Sequence, residues 1–101
     1  MKYKFIPHTI ALLLVASSHS LAAADGAALY KSKCSSCHGV NGEGKPAVKA
    51  PALKGTTRDA AQITEHLMKG ESDSKPPHNK AISGLSEEQA KAIADYVKSL
   101  K

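Results

Sequence analysis

The residues with the most specific chemistry in this chain are consecutive: Cys34-Ser35-Ser36-Cys37-His38. C-x-x-C-H is the pattern by which a c-type haem is attached. Two thiols three positions apart on a helical turn can each form a thioether with a vinyl group of the same porphyrin. The histidine that follows is then held close enough to the ring axis to bond the iron. The motif therefore predicts one covalently attached haem c, bound through Cys34 and Cys37, with His38 as an axial iron ligand.

Three other roles for a C-x-x-C pair are less well supported by the rest of the sequence. A thioredoxin-like dithiol expects a βαβ context, and no alternating strand pattern occurs here. A structural zinc site needs four protein ligands, and the remaining histidines are not spaced as a second ligand pair. A structural disulfide in an exported protein would leave His38 without a role.

The first 24 residues have the features of a secretory signal peptide. Lys2 and Lys4 form a basic start, residues 10–15 are apolar, and the small residues 22–24 supply a cleavage site before Asp25. The apolar run is too short to span a membrane. We therefore predict a signal peptide over residues 1–24, a single mature domain over residues 25–101, and a periplasmic location.

The mature segment is predicted to need a bound group for stability. Domains of this size bury little surface on folding and usually depend on a disulfide, a metal or another staple. The chain has no Trp, and beyond the predicted signal its only Tyr or Phe residues are Tyr30 and Tyr96. A buried porphyrin would supply the missing apolar surface. The net charge of the whole chain is +5, and without Lys2 and Lys4 of the predicted signal it falls to +3. This balance permits weak steering toward acidic partners but gives no reason to expect nucleic acid.

Hydrophobic periodicity and helix-end signals predict an all-α fold. A first helix is expected over residues 25–36 and a second over residues 57–69. A third helix should follow the capping box at residues 86–89. The segments 40–55 and 71–84 are rich in glycine and proline and are predicted to be loops.

The order of these features resembles the class I c-type cytochromes, and in particular the small monohaem periplasmic cytochromes of sulfate-reducing bacteria. Besides the haem motif, the resemblance rests on Asp-Gly-Ala-Ala-Leu-Tyr at 25–30 and Ala-Asp-Tyr-Val at 94–97, and it covers the whole mature chain. It implies the class I cytochrome c-like fold, with short helices wrapped around one covalent haem. The terminal helices of that fold cross, which would place Gly26 against the helix that carries Tyr96.

The resemblance also implies a hydrogen-bond partner for His38. In the family, a proline carbonyl after the haem motif accepts a hydrogen bond from the proximal histidine, and Pro-Ala-Leu-Lys-Gly at 51–55 is similar to that stretch. Pro51 would then accept a hydrogen bond from Nδ1 of His38. Such a partner sets the tautomer and the basicity of a metal-binding imidazole.

The chain departs from the family at the sixth iron ligand. The family normally supplies a methionine from the loop before the last helix, and the matching position, seven residues before Leu85, is His78. The only mature methionine, Met68, lies in the second predicted helix, where methionine usually fills the core. We predict His78 as the ligand and keep Met68, Lys75 and an open position as alternatives. His66 is expected to be a solvated helix-surface residue without a role.

Together these features predict a one-electron carrier and not an enzyme. Its partners would be redox proteins, the mature chain would have no membrane span, and we expect a monomer. Lysines around the motif and the following loop would surround an exposed haem edge and meet an acidic partner: Lys31, Lys33, Lys45, Lys49 and Lys54. The alternative is a haem enzyme or small-gas sensor, which requires that the sixth iron position be open or weakly held.

Overall fold

The computed structural model describes residues 24–101, so the predicted signal peptide lies, apart from Ala24, outside the described residues. In chain order the elements are α1 (Gly26–Lys33), α2 (Ser35–His38), a 3-10 turn (Pro46–Val48), α3 (Ala60–Lys69) and α4 (Glu87–Ser99). Within this part of the chain the extended pairing is limited to an isolated bridge between Lys45 and Ala50. The all-α prediction is therefore confirmed. No helix in the described range is long and apolar enough to cross a bilayer.

The two long helices begin at reciprocal caps. The backbone N–H of Gln89 donates to Ser86 Oγ (3.2 Å), and the Ser86 N–H donates to Gln89 Oε1 (2.9 Å), which confirms the predicted capping box. Asp59 and Gln62 form the same arrangement ahead of α3. Because Asp59 is extended and caps the helix, α3 begins at Ala60, and the predicted start at residue 57 is wrong.

The predicted continuous helix over residues 25–36 is also wrong. α1 ends at Lys33, because Cys34 has a φ of −119° and a ψ of −35°, away from regular helical geometry. The Cys34 N–H still donates to the Tyr30 carbonyl at 2.8 Å, so the chain continues directly into α2. The haem motif therefore occupies a separate short helix that is joined rigidly to the end of α1.

The core is small and is organised around α4, which packs against both α1 and α3. Only six hydrophobic residues of the described range are buried: Tyr30, Leu67, Ala90, Ile93, Ala94 and Val97. The Tyr30 and Tyr96 rings lie 5.2 Å apart, centroid to centroid, at the contact between α1 and α4. Such a core agrees with the expectation that the domain needs a large apolar group for stability.

The crossing of the terminal helices is confirmed at Gly26. A Cβ added there would overlap the backbone carbonyl of Ala92 and lie 3.2 Å from Tyr96 Cβ. Only a residue without a side chain allows α1 and α4 to approach this closely. The contact sets the position of α1, and through α1 it sets the position of the haem motif.

Candidate haem site

The haem motif is anchored by Tyr30, which lies one turn before it on α1. The Tyr30 hydroxyl donates to the Gly39 carbonyl at 2.7 Å, directly after α2. Burial raises the pKa of Tyr30 to about 12, so the phenol remains a hydrogen-bond donor at neutral pH. Gly39 has a φ of +88° and turns the chain away from α2. The four-residue helix is therefore held at both ends.

Cys34 and Cys37 are free thiols on this turn. The Cys37 N–H lies 3.2 Å from the Cys34 carbonyl oxygen. Cys34 is half-buried, and burial raises the pKa of its thiol, whereas Cys37 is exposed. The pair thus presents one sulfur at the edge of the core and one at the surface.

His38 is buried and oriented by a backbone carbonyl. Its side-chain Nδ1 lies 2.8 Å from the Pro51 oxygen, the contact that the family resemblance implied. A carbonyl can only accept, so Nδ1 must carry the proton, and Nε2 keeps its lone pair free for a metal. The residue is 7% exposed, which leaves the imidazole few alternative orientations.

The loop that carries Pro51 is folded back onto the motif by backbone hydrogen bonds. The Gly44 N–H donates to the His38 carbonyl (2.7 Å), and the Leu53 N–H donates to the Gly42 carbonyl (2.8 Å). A Cβ at Gly44 would lie 2.8 Å from the Ala52 nitrogen, so this close return requires glycine. The glycines of this loop therefore allow the chain to return closely enough for the Pro51 carbonyl to reach His38.

The structure brings His78 next to His38, although about half of the domain's sequence separates the two residues. Their ring centroids are 5.8 Å apart, and the ring planes make an angle of 52°. His78 is half-buried, and its Nδ1 is buried without a hydrogen-bond partner. Burial, followed by the neighbouring His66 and His38 rings, lowers the pKa of His78. The neutral imidazole, the form that binds metals, is thereby favoured.

The other two candidates for the sixth ligand occupy different surroundings. Met68 lies on α3 and packs against the hydrophobic core, as expected for a methionine that fills space. Lys75 is exposed in the loop after α3.

His66 is the residue that sequence reasoning missed. Its side chain is only 17% exposed, so the expectation of a solvated surface residue is wrong. The His66 ring lies 4.8 Å from the His78 ring, and its Nδ1 lies 3.0 Å from Glu71 Oε1, although the two atoms are not aligned as a hydrogen bond. Position 66 follows Ile63 by three residues and so borders the apolar stripe of α3, which was the available signal.

These residues fit a haem. Two free thiols lie three positions apart on one turn, and the oriented imidazole of His38 comes directly after the second thiol. Metal–imidazole bonds are about 2 Å long, so two imidazoles on one metal ion place their ring centroids about 6 Å apart, close to the 5.8 Å between His38 and His78. Among residues 24–101, no group of three or more His, Cys, Asp or Glu side chains is arranged to hold a metal ion.

Comparisons with known proteins agree with this chemistry. A family model described as cytochrome c matches residues 23–101. Cytochrome c-553 of Nitratidesulfovibrio vulgaris is 34% identical over 106 aligned positions, which cover 99% of this chain and 100% of the relative. Cytochrome c-553 of Helicobacter pylori is 35% identical over 94 positions, covering 91% of this chain and 95% of the relative.

A solved structure supports the fold independently. The c-type cytochrome KustC0563 superposes with a TM-score of 0.59 at 24% identity, covering 76% of this chain and 98% of its own. The family match spans every element described above, and the relatives correspond to the chain over nearly its full length. The chain therefore belongs to the cytochrome c family, as a class I c-type cytochrome with covalently attached haem c.

Proposed function

We propose that this protein is a periplasmic one-electron carrier that holds a single haem between His38 and His78. The observation that carries the proposal is the pairing of an oriented, buried His38 with the His78 ring at 5.8 Å. When bound, the haem iron supplies a one-electron couple whose potential depends on ligand identity, hydrogen bonding and burial. A single C-x-x-C-H motif and two cysteines in the whole chain support one haem.

Each residue of the site has a separate task in this proposal. Cys34 and Cys37 form the two thioether bonds, which makes the cofactor a permanent part of the fold. His38 would bind the iron through Nε2, while the Pro51 carbonyl holds its Nδ1–H. His78 would supply the second imidazole. Two histidine ligands would leave no open iron position for a substrate, which favours electron transfer over the haem enzyme or gas-sensor alternative.

Intact-mass measurement tests the cofactor and the location together. In a bacterial host that attaches c-type haem, the periplasmic fraction should contain the chain from Asp25 onward with the mass of one haem added under denaturing conditions. Cys37→Ala should lower the yield of this species sharply, because one of the two covalent bonds is lost. A protein of unmodified mass with a Cys34–Cys37 disulfide, made in that host, would contradict the proposal.

The absorption spectrum tests the carrier against its alternative. A protein with two imidazole ligands should show a six-coordinate low-spin haem in both oxidation states. A five-coordinate high-spin spectrum in the purified protein would show an open iron position and would favour the enzyme or sensor function.

The lysines after the motif are expected to guide docking with an acidic redox partner. Lys45 donates to the Ser36 carbonyl (2.9 Å) and so has a structural contact, whereas Lys49 and Lys54 are exposed. Lys49→Glu and Lys54→Glu should each slow electron transfer several-fold at low salt, because the charge reversal weakens long-range attraction. The loss should shrink above about 0.1 M salt, where the screening length is about 10 Å.

Lys91→Glu is the matched control for these charge reversals. Lys91 is exposed on α4 beside the start of α1, away from the haem motif, and the substitution changes the net charge by the same amount. Stopped-flow rates across a salt series measure the effect. Equal rates for the three variants at low salt would mean that the lysines near the motif act only as solubilising charges.

A further inference from the structure

His66 has a buried environment that the proposed carrier function does not use. Its ring packs against that of His78, with a centroid separation of 4.8 Å and the ring planes tilted by 34°. Aromatic pairs at such separations contribute stability beyond simple burial. The proposed iron ligand is therefore in contact with a second imidazole.

His66 also lies next to an exposed ion pair. Its Nδ1 lies 3.0 Å from Glu71 Oε1, and Arg58 Nη1 lies 2.7 Å from the same oxygen. The Arg58 hydrogen bond, and then the His66 contact, lower the pKa of Glu71 and keep it ionised. The carboxylate therefore connects the His66 ring to Arg58, a residue that precedes α3.

The loop that carries His78 is docked on the same end of α3. The Glu71 N–H donates to the His78 carbonyl (2.7 Å), and the Ile82 N–H donates to the Leu67 carbonyl (2.9 Å). A Cβ at Gly70 would overlap the backbone of Lys80, which shows how closely the loop approaches the helix end. The backbone of His78 is thus fixed at the end of α3. Its side chain lies on a loop without regular structure, and the His66 ring packs against it.

We propose that His66 is a positioning residue for His78, packed against its ring so that the imidazole keeps one orientation and stays directed toward the iron. This inference rests on the proposed ligation by His78. A side chain on a short capped helix has fewer accessible orientations than one on a loop, so α3 supplies through His66 the rigidity that the loop lacks.

Removal of the His66 ring should weaken the bond between His78 and the iron. In the haem-loaded His66→Ala protein, the rate at which carbon monoxide binds the reduced form should rise about three- to tenfold, because the lost aromatic contact favours ligand dissociation. The low-spin electron paramagnetic resonance signal of the oxidised protein should also broaden or split, since it depends on the angle between the two imidazole planes. His66→Phe keeps a planar ring and should restore both values to near those of the wild type.

Two further variants separate the effect of the ring contact from effects on folding and on local charge. His66→Gln keeps a polar side chain near Glu71 without a ring, and it should behave like His66→Ala; it also carries the test if the alanine variant does not fold. Glu65 lies next to His66 on α3 and has an exposed side chain. Glu65→Ala should therefore leave both readouts unchanged.

The possible failures of the two proposals differ. If the wild type has a bis-imidazole signal and all His66 variants reproduce its line shape and its carbon monoxide rate, the positioning role is refuted while the ligand assignment stands. If the wild type lacks a bis-imidazole signal, or binds carbon monoxide at once, His78 is not the ligand and the inference is refuted together with that assignment.

Discussion

Replacement of His78 with methionine should raise the reduction potential of this cytochrome by on the order of 100 mV, within the range of about 0.8 V that axial ligands cover. The soft thioether of methionine favours Fe(II), whereas imidazole stabilises Fe(III) relatively better. The wild type should therefore have a low potential for a class I cytochrome. A spectroelectrochemical titration measures the change, and the oxidised His78→Met protein should gain the weak near-red band of an iron–methionine bond.

Truncation of the same side chain tests the assignment in a second way. His78→Ala should open the iron position, so that added imidazole or carbon monoxide binds without first displacing a protein ligand. The His78 backbone is held by the hydrogen bond from Glu71, and the loop is held by that between Ile82 and Leu67. The loop should therefore keep its place in the variant, and the change should be confined to the iron site.

Met68→Leu is the control, because it exchanges side chains of similar volume in the core. Met68 packs against the hydrophobic core cluster. The substitution should leave the potential and the oxidised spectrum unchanged. A near-red band in the wild type that disappears in Met68→Leu would transfer the ligand role to Met68 and refute the assignment of His78.

The helix starts show what local sequence determines. The capping box at Ser86 was predictable because its two hydrogen bonds join residues three positions apart, and they form whatever the rest of the chain does. The same box at Asp59 was present in the sequence, yet periodicity alone placed the start of α3 three residues too early, at residue 57. The break at Cys34 had no local signal, because the residue adopts its geometry where α1 joins the short motif helix.

The site divides in the same way between local and long-range causes. The haem motif is a short pattern whose chemistry follows from spacing alone. The contact between His38 and Pro51 was available only from the family resemblance, since it depends on the return of a whole loop. The ring contact between His66 and His78 depends on how the loop docks against α3, and neither periodicity nor resemblance predicted it.

Gly26→Ala should destabilise the protein, even though alanine is the better helix former. Gly26 is the first residue of α1, and helix propensity alone would predict a stabilisation of up to about 1 kcal/mol. The structure predicts the opposite sign. The added methyl group would overlap the Ala92 carbonyl, which belongs to the backbone of α4 and cannot rotate away.

Overpacking of this kind costs about 1–3 kcal/mol, and each kcal/mol lowers the unfolding midpoint of a domain this small by about 4–8 °C. We therefore expect the midpoint of thermal unfolding of the haem-loaded protein, followed by circular dichroism, to fall by about 4–24 °C. Gly55→Ala is the contrast. Gly55 has a φ of +76°, but a Cβ there would meet nothing within 4 Å, so the cost is limited to backbone strain of about 1–2 kcal/mol. The larger loss of stability should thus occur in Gly26→Ala, although Gly26 is the glycine with ordinary helical geometry. A Gly26→Ala protein as stable as the wild type would mean that α1 and α4 do not approach as closely as Gly26 permits.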